Sequence, residues 1–410
     1  VNRSLVFFLT FCIAFSAGCR VGQRPASVEE RARAIHSRVL TLDTHCDTAM
    51  NLLRPGWNIR DRHDPSLRES GKIDLPRMKE GGLDAEFFAA FVGQGPRTDE
   101  GRARAKGTVD KLIDAVIKMT EDNADLIGLA LTPEDAYRLK KAGKLSAFLG
   151  IENGYAVGTD LALVEYFWKR GVRYITLCHS SDNDICDSST DRREPEDKGL
   201  SDFGRKVVEE CNRLGMLIDV SHASDRSFYD VLAASRAPVI ASHSSCRALA
   251  DNPRNLSDDM LRALKKNGGV IQVCFLGSYV KTPPPNPERE RALKELEAKY
   301  GNFRALQDPA LRDKAMAEFA EINQRFPQAG PTVKDLVDHI DHVRKVVGID
   351  YVGIGTDFDG GGGVVGCDDA SGMIHVTEEL IRRGYTDREV EKVWGGNFFR
   401  VFREAARRAK

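Results

Sequence analysis

The chain has 410 residues, 41% hydrophobic and 30% charged, with a formal net charge of −1. That balance is ordinary for a globular protein and excludes a basic nucleic-acid-binding domain, which would show a clear positive excess. The length is too great for one small domain and suits one large barrel with insertions.

Residues 1–19 read as a secretory signal. Arg3 is the only charge before Arg20, Leu5 to Ala17 is an apolar run, and the small residues Ser16, Ala17 and Gly18 precede Cys19. The run is too short to span a bilayer comfortably. Small residues before a cysteine resemble a bacterial lipobox, although Ser16 stands where leucine is usual. The expectation is export to a bacterial cell envelope with a lipid on Cys19 as the membrane tether; ordinary signal cleavage, giving a periplasmic or secreted protein, is the alternative. Residues 20–34 form a linker and the start of the first helix, and 35–410 form a single catalytic domain. The nine cysteines contain no C-x-x-C pair, so they suggest neither a thiolate zinc site nor a disulfide framework.

Ser27 and Glu30 form a capping-box pattern that predicts a helix over Val28–Arg38. Eight apolar runs follow: Val39–Asp43, Ala85–Val92, Ser146–Glu152, Val172–Leu177, Met216–Val220, Val239–Ser242, Val270–Phe275 and Tyr351–Thr356. Near-continuous hydrophobicity marks strands buried on both faces. Helix starts lie between them at Thr132-Pro133, Ser224 and Ser257, and after the last at Thr386; helix stops lie at Gly171, Gly215 and Gly268-Gly269. The alternation predicts a (β/α)8 barrel of TIM type. An open doubly wound sheet is the alternative, but Thr44-His45-Cys46-Asp47 lacks the glycines expected after its first strand. Residues 282–330 open with three prolines and are charged; they predict a helical insertion between the seventh and eighth runs.

In such barrels the chemistry sits at the C-terminal ends of strands. His45, Asp47, Glu152, His179, His222, His243 and Asp357 all fall at or just past a run. Singly, each could be a core histidine or a solvated strand end; together they point into one mouth. Imidazoles and carboxylates without thiolates suit zinc or a similar divalent ion. Five such groups exceed the needs of one ion and fit two that share a carboxylate, activating a water and polarising a carbonyl, with Asp357 as general base. His339 and His342, three apart on a predicted helix, read as a solvated face rather than a metal pair. Gly360 to Gly363 reads as a flexible loop at the barrel mouth.

Leu42-Asp43-Thr44-His45-Cys46-Asp47, Ile218-Asp219-Val220-Ser221-His222, Ala241-Ser242-His243-Ser244-Ser245 and Gly355-Thr356-Asp357-Phe358-Asp359-Gly360, in this order, resemble the membrane (renal) dipeptidase family. The resemblance runs from about residue 35 to about 405 and implies a binuclear zinc dipeptidase. It implies that His45 and Asp47 bind one zinc, that His222 and His243 bind the other, and that Glu152 bridges both. His179 would contact the scissile carbonyl oxygen. Arg254 would grip the substrate carboxylate, with Tyr279 beside it, and Asp357 would carry the proton. It further implies small dipeptide substrates, including those with a C-terminal D-residue, and homodimers, the family's usual state. The family often has Glu-Gly-Gly where this chain has Glu152-Asn153-Gly154-Tyr155, which places Asn153 and Tyr155 at the mouth, where they would affect substrate preference. The rival readings are a related barrel hydrolase acting on a lactone, a non-peptide amide or a phosphoester, and a non-catalytic envelope binding lipoprotein.

Overall fold

The computed structural model describes residue 1 and residues 26–410, apart from 66, 68, 69, 192, 194, 195, 302–305 and 307. The proposed signal and Cys19 lie outside the described residues. Among the described residues no helix is long and apolar enough to cross a membrane.

Nine strands form one parallel sheet: β1 (Leu42–Cys46), β2 (Ala85–Phe91), β3 (Ile127–Leu129), β4 (Leu145–Glu152), β5 (Val172–Thr176), β6 (Leu217–Asp219), β7 (Ile240–Ser244), β8 (Val270–Val273) and β9 (Val352–Ile354). Eight follow the order β1-β2-β4-β5-β6-β7-β8-β9, and β3 pairs with the first half of β4. The ring closes through loop residues: the Asp357 amide donates to the His45 carbonyl at 3.0 Å and the Asp47 amide to the Phe358 carbonyl at 2.8 Å. This is a (β/α)8 barrel, as the alternation of runs predicted. All five residues of β1 and all eight of β4 are buried, as they must be between a filled interior and a layer of helices.

The floor of the barrel is aromatic. Phe87 stacks on Phe148 with ring centres 4.6 Å apart and lies 5.1 Å from Tyr174. The last helix, Asn397–Arg407, brings Phe398 to 5.2 Å from Phe87 and Phe402 to 6.1 Å from Phe148, covering the starts of the strands. Removing one such buried ring costs about 3–5 kcal/mol, so this plug anchors the end opposite the chemistry.

The structure shifts several expected boundaries. β1 starts at Leu42 rather than Val39 and runs through His45. β7 continues past His243 to Ser244. Pairing slips between Asp43 and Cys46 on β1, and between Ala241 and Ser244 on β7. A bulge re-aims side chains that strict alternation would send elsewhere, and each of these two spans a site histidine. The expected caps are in place: capping boxes at Ser27, Thr132 and Thr386, and left-handed stops at Gly215 and Gly268. The insertion between β8 and β9 carries helices Pro287–Tyr300 and Pro309–Arg325, which share a small core of Leu296, Tyr300 and Ala315.

Candidate metal centre

Strand ends and the turns after them carry the site. His45 and His243 sit on the bulged ends of β1 and β7, and Glu152 is the last residue of β4. His179 and His222 lie three residues beyond β5 and β6. Asp47 and Asp357 flank the seam where the ring closes. Left-handed backbone is concentrated here: among the described non-glycine residues only Asn153 (φ 80°), His222 (71°), Asp357 (60°) and Asp359 (67°) have positive φ. Such backbone is costly and collects at functional sites; Asn, Asp and His bear it best.

The geometry converges on Glu152. Its Oε2 is 3.5 Å from His45 Nε2, while its Oε1 is 3.0 Å from His222 Nε2 and 3.4 Å from His243 Nε2. Candidate ligand atoms fall in three groups, each within 4.8 Å: His45, Glu152 and His243; Glu152, His179 and His222; His45, Asp47 and Asp357. The rings of His45 and His243 are 3.8 Å apart centre to centre, and the Nε2 atoms of His222 and His243 are 2.9 Å apart.

The donors fit a metal. Among the described residues His45 Nε2 and Asp47 Oδ1 are buried with no hydrogen-bond partner, and unpartnered buried polar atoms are expensive unless something binds them. The electrostatics agree. Burial disfavours charge on His45, yet the carboxylates of Glu152, Asp47 and Asp357 outweigh it and push the imidazolium up to about 10. The centre therefore attracts positive charge. Burial pushes His243 down to about 3, the neutral form a metal requires.

Burial also pushes Asp357 up to about 7, with the Glu152 charge adding to it. His179 is held at the rim against the Phe91 ring, 4.7 Å centre to centre, with Ser180 Oγ 3.1 Å from its Nδ1. Arg254 is 3% exposed. Its Nη2 donates to the His243 carbonyl at 3.3 Å, and its guanidinium lies 5.2 Å from the Tyr279 ring centre. Its Nε has no partner, and among the described residues no carboxylate lies within ion-pair distance of it.

Three expectations need correction. Asn153 and Tyr155 do not line the mouth. Both are buried. Asn153 accepts from the Tyr155 amide at 3.1 Å and donates to the Val92 carbonyl at 3.0 Å, and the Tyr155 hydroxyl donates to the Pro96 carbonyl at 2.6 Å. The positive φ of Asn153 (80°) is backbone that glycine adopts freely and asparagine tolerates better than most residues. His339 is not solvated: it is fully buried, accepts from the Cys246 amide at 3.0 Å and reaches the Val280 carbonyl at 2.8 Å. His342 pairs with Asp258 instead. Gly360 to Gly363 form a hydrogen-bonded turn rather than a loose loop, with the Gly362 amide donating to the Asp357 carbonyl at 2.7 Å.

Sequence reasoning missed the groups that hold the ligands. The Tyr174 hydroxyl is 2.9 Å from His45 Nδ1, and Ser242 Oγ is 2.8 Å from His243 Nδ1. Asp43 and Asp219, acids inside apolar runs, were the available signal, because a charged residue is rarely buried without partners.

A parallel barrel with imidazoles and carboxylates gathered at the ends of its strands defines a metal-dependent hydrolase of the barrel type. Comparison with known proteins narrows the class. Residues 29–410 match the model of the membrane dipeptidase family, peptidase family M19. The chain is 31% identical to dipeptidase tcpJ of Claviceps purpurea over 369 residues, 88% of this chain and 76% of that protein. It is 33% identical to dipeptidase 3 of Rattus norvegicus over 338 residues, 82% of this chain and 58% of the rat protein. The crystal structure of the probable dipeptidase PvdM from Pseudomonas aeruginosa superposes with a TM-score of 0.82 at 32% identity, covering 94% of this chain and all of that one. A metallo peptidase from Rhodobacter sphaeroides, solved with a phosphinate mimic of L-Ala-D-Ala, shares the fold with a TM-score of 0.71 at 23% identity, covering 90% of this chain and 99% of that one. The chain belongs to the membrane dipeptidase family and is a metal-dependent dipeptidase.

Proposed function

We propose that the protein hydrolyses the single peptide bond of small dipeptides at a centre for two zinc ions. His45 and Asp47 would hold one, His222 and His243 the other, and Glu152 both. The observation that carries this reading is the division of Glu152, whose two oxygens face different histidines. Nitrogen and oxygen donors without thiolate suit zinc. Bound ions would acidify a water and polarise the scissile carbonyl.

The chain's own groups do the rest. Arg254, buried and without a carboxylate partner among the described residues, presents a planar fork of donors to the substrate's C-terminal carboxylate. The Tyr279 ring keeps that fork in place. His179 donates to the carbonyl oxygen as negative charge develops there. Asp357, buried and poised near neutrality, takes a proton from the attacking water and returns it to the leaving amine. Peptides with a C-terminal D-residue are included among the substrates, in line with the L-Ala-D-Ala mimic bound by the Rhodobacter protein.

A panel of L,L and L,D dipeptides with matching tripeptides tests the substrate class. Cleavage of dipeptides alone supports it, and indifference to the whole panel removes it. The protein is further proposed to reach a bacterial envelope and carry a lipid on Cys19; mass spectrometry of the mature N-terminus tests this. It is also proposed to be a homodimer, which light scattering tests.

A further inference from the structure

Two aspartates outside the ligand set make matching hydrogen bonds on strands four places apart around the ring. Asp43 Oδ1 accepts from the His45 amide at 3.3 Å, two residues on, and from the Thr356 amide at 2.7 Å; its Oδ2 accepts from the Thr356 hydroxyl. Asp219 Oδ1 accepts from the Ser221 amide at 3.0 Å, also two residues on, and from the Ser242 amide at 2.8 Å. Its Oδ2 accepts from the hydroxyls of Ser242 and Thr176, each at 2.6 Å. Both aspartates are fully buried. Each one grips the residue just before a site residue on a neighbouring part of the ring: Thr356, just past the end of β9, before Asp357, and Ser242, on β7, before His243.

The second copy goes one bond further. Ser242 has a single hydroxyl proton, and Asp219 takes it. The Ser242 oxygen can then only accept from His243 Nδ1, 2.8 Å away. A neutral imidazole that donates through Nδ1 keeps its lone pair on Nε2, the atom that faces Glu152 and His222.

We propose that Asp219 is a positioning residue that acts through Ser242, fixing His243 as the Nδ1–H tautomer so that Nε2 is free to bind metal before any ion arrives. This rests on reading His243 as a ligand. Partners of this kind orient metal-binding imidazoles, and their loss weakens binding about 10–100-fold.

Three variants separate this role from a merely structural one. Ser242→Ala breaks the relay but leaves Asp219 its bonds to the Ser242 and Ser221 amides and the Thr176 hydroxyl. Ser242→Thr keeps the hydroxyl, and threonine is what position 356 carries in the matching arrangement. Asp219→Asn turns an amide nitrogen toward Ser242, so the serine proton swings to His243 Nδ1 and the opposite tautomer is favoured.

The first readout is the nitrogen NMR spectrum of the metal-free full chain, labelled with 15N in the imidazoles of histidine. Wild type and Ser242→Thr should show His243 protonated at Nδ1. Ser242→Ala should show mixed tautomers, and Asp219→Asn mainly Nε2–H. The second readout is zinc affinity by competition with a chromogenic chelator. Ser242→Ala should bind about 10–100-fold more weakly and Ser242→Thr within about threefold of wild type. A His243 that stays Nδ1–H with unchanged zinc affinity in Ser242→Ala, or a wild-type His243 protonated at Nε2, overturns the proposal. A wild-type protein that shows the Nδ1–H tautomer yet binds no zinc upholds the relay and overturns the reading of His243 as a ligand.

Discussion

The Arg254 guanidinium faces the Tyr279 ring at 5.2 Å and lacks a carboxylate partner among the described residues. A buried arginine with an unpartnered Nε is costly in the free protein and fits a site that awaits an anion. Arg254→Lys should lower kcat/KM for dipeptides about 100-fold, because a point charge cannot replace the fork and each charge-assisted hydrogen bond contributes about 1.5–3 kcal/mol. Dipeptide amides, which lack the carboxylate, should lose far less. Steady-state kinetics on both substrates checks this; equal losses would show that Arg254 does not hold the carboxylate.

Tyr174 joins the aromatic floor to the site, since its hydroxyl is 2.9 Å from His45 Nδ1. Tyr174→Phe keeps the ring and removes only that bond. Metal affinity should fall about 10–100-fold, and leaving His45 Nδ1 buried without a partner should cost about 1–3 kcal/mol of stability. Chelator competition and a melting curve on the same preparation read both quantities.

Gly150 on β4 has no side chain because the Tyr174 ring occupies the space a Cβ would take. Gly150→Ala should therefore displace the ring, cost about 1–3 kcal/mol by overpacking, and weaken metal binding as Tyr174→Phe does. A Gly150→Ala protein with wild-type stability and affinity would show that the ring has room to move.

The acid limb of the stability curve should carry the mark of His36. Its Nε2 meets the Thr377 hydroxyl at 2.6 Å, and Trp394 Nε1 donates to the same hydroxyl at 2.6 Å. Burial, with help from the Lys140 charge, pushes His36 down to about 4 from 6.5. The folded protein therefore refuses a proton that the unfolded chain accepts. The stabilisation is fully present above pH 6.5 and is lost as the pH falls toward 4, about 3 kcal/mol in all. Urea midpoints of wild type and His36→Gln should converge across that interval; curves that stay parallel would contradict the assignment.

Much of the fold was legible because buried parallel strands are written as apolar runs and helix ends as caps, and both kinds of signal are local. β3 escaped notice because Ile127-Gly128-Leu129 is three residues long. The bulges at His45 and His243 were invisible because they depend on the register of the neighbouring strand. Leu336, His339 and Val343 share one helix face, so spacing alone could have placed His339 inside. Asn153 and Tyr155 were misplaced because adjacency to Glu152 in sequence does not determine which way a side chain points after a turn. The ligands were readable as a set of histidines and carboxylates at strand ends; the groups that orient them were not, because serine, threonine and tyrosine are common everywhere.

The most direct test of the central claim joins metal content to activity. Purified protein should contain about two zinc ions per chain, lose dipeptide hydrolysis as a chelator removes them, and regain it when zinc is returned. Full dipeptide hydrolysis by demonstrably metal-free protein would contradict the account.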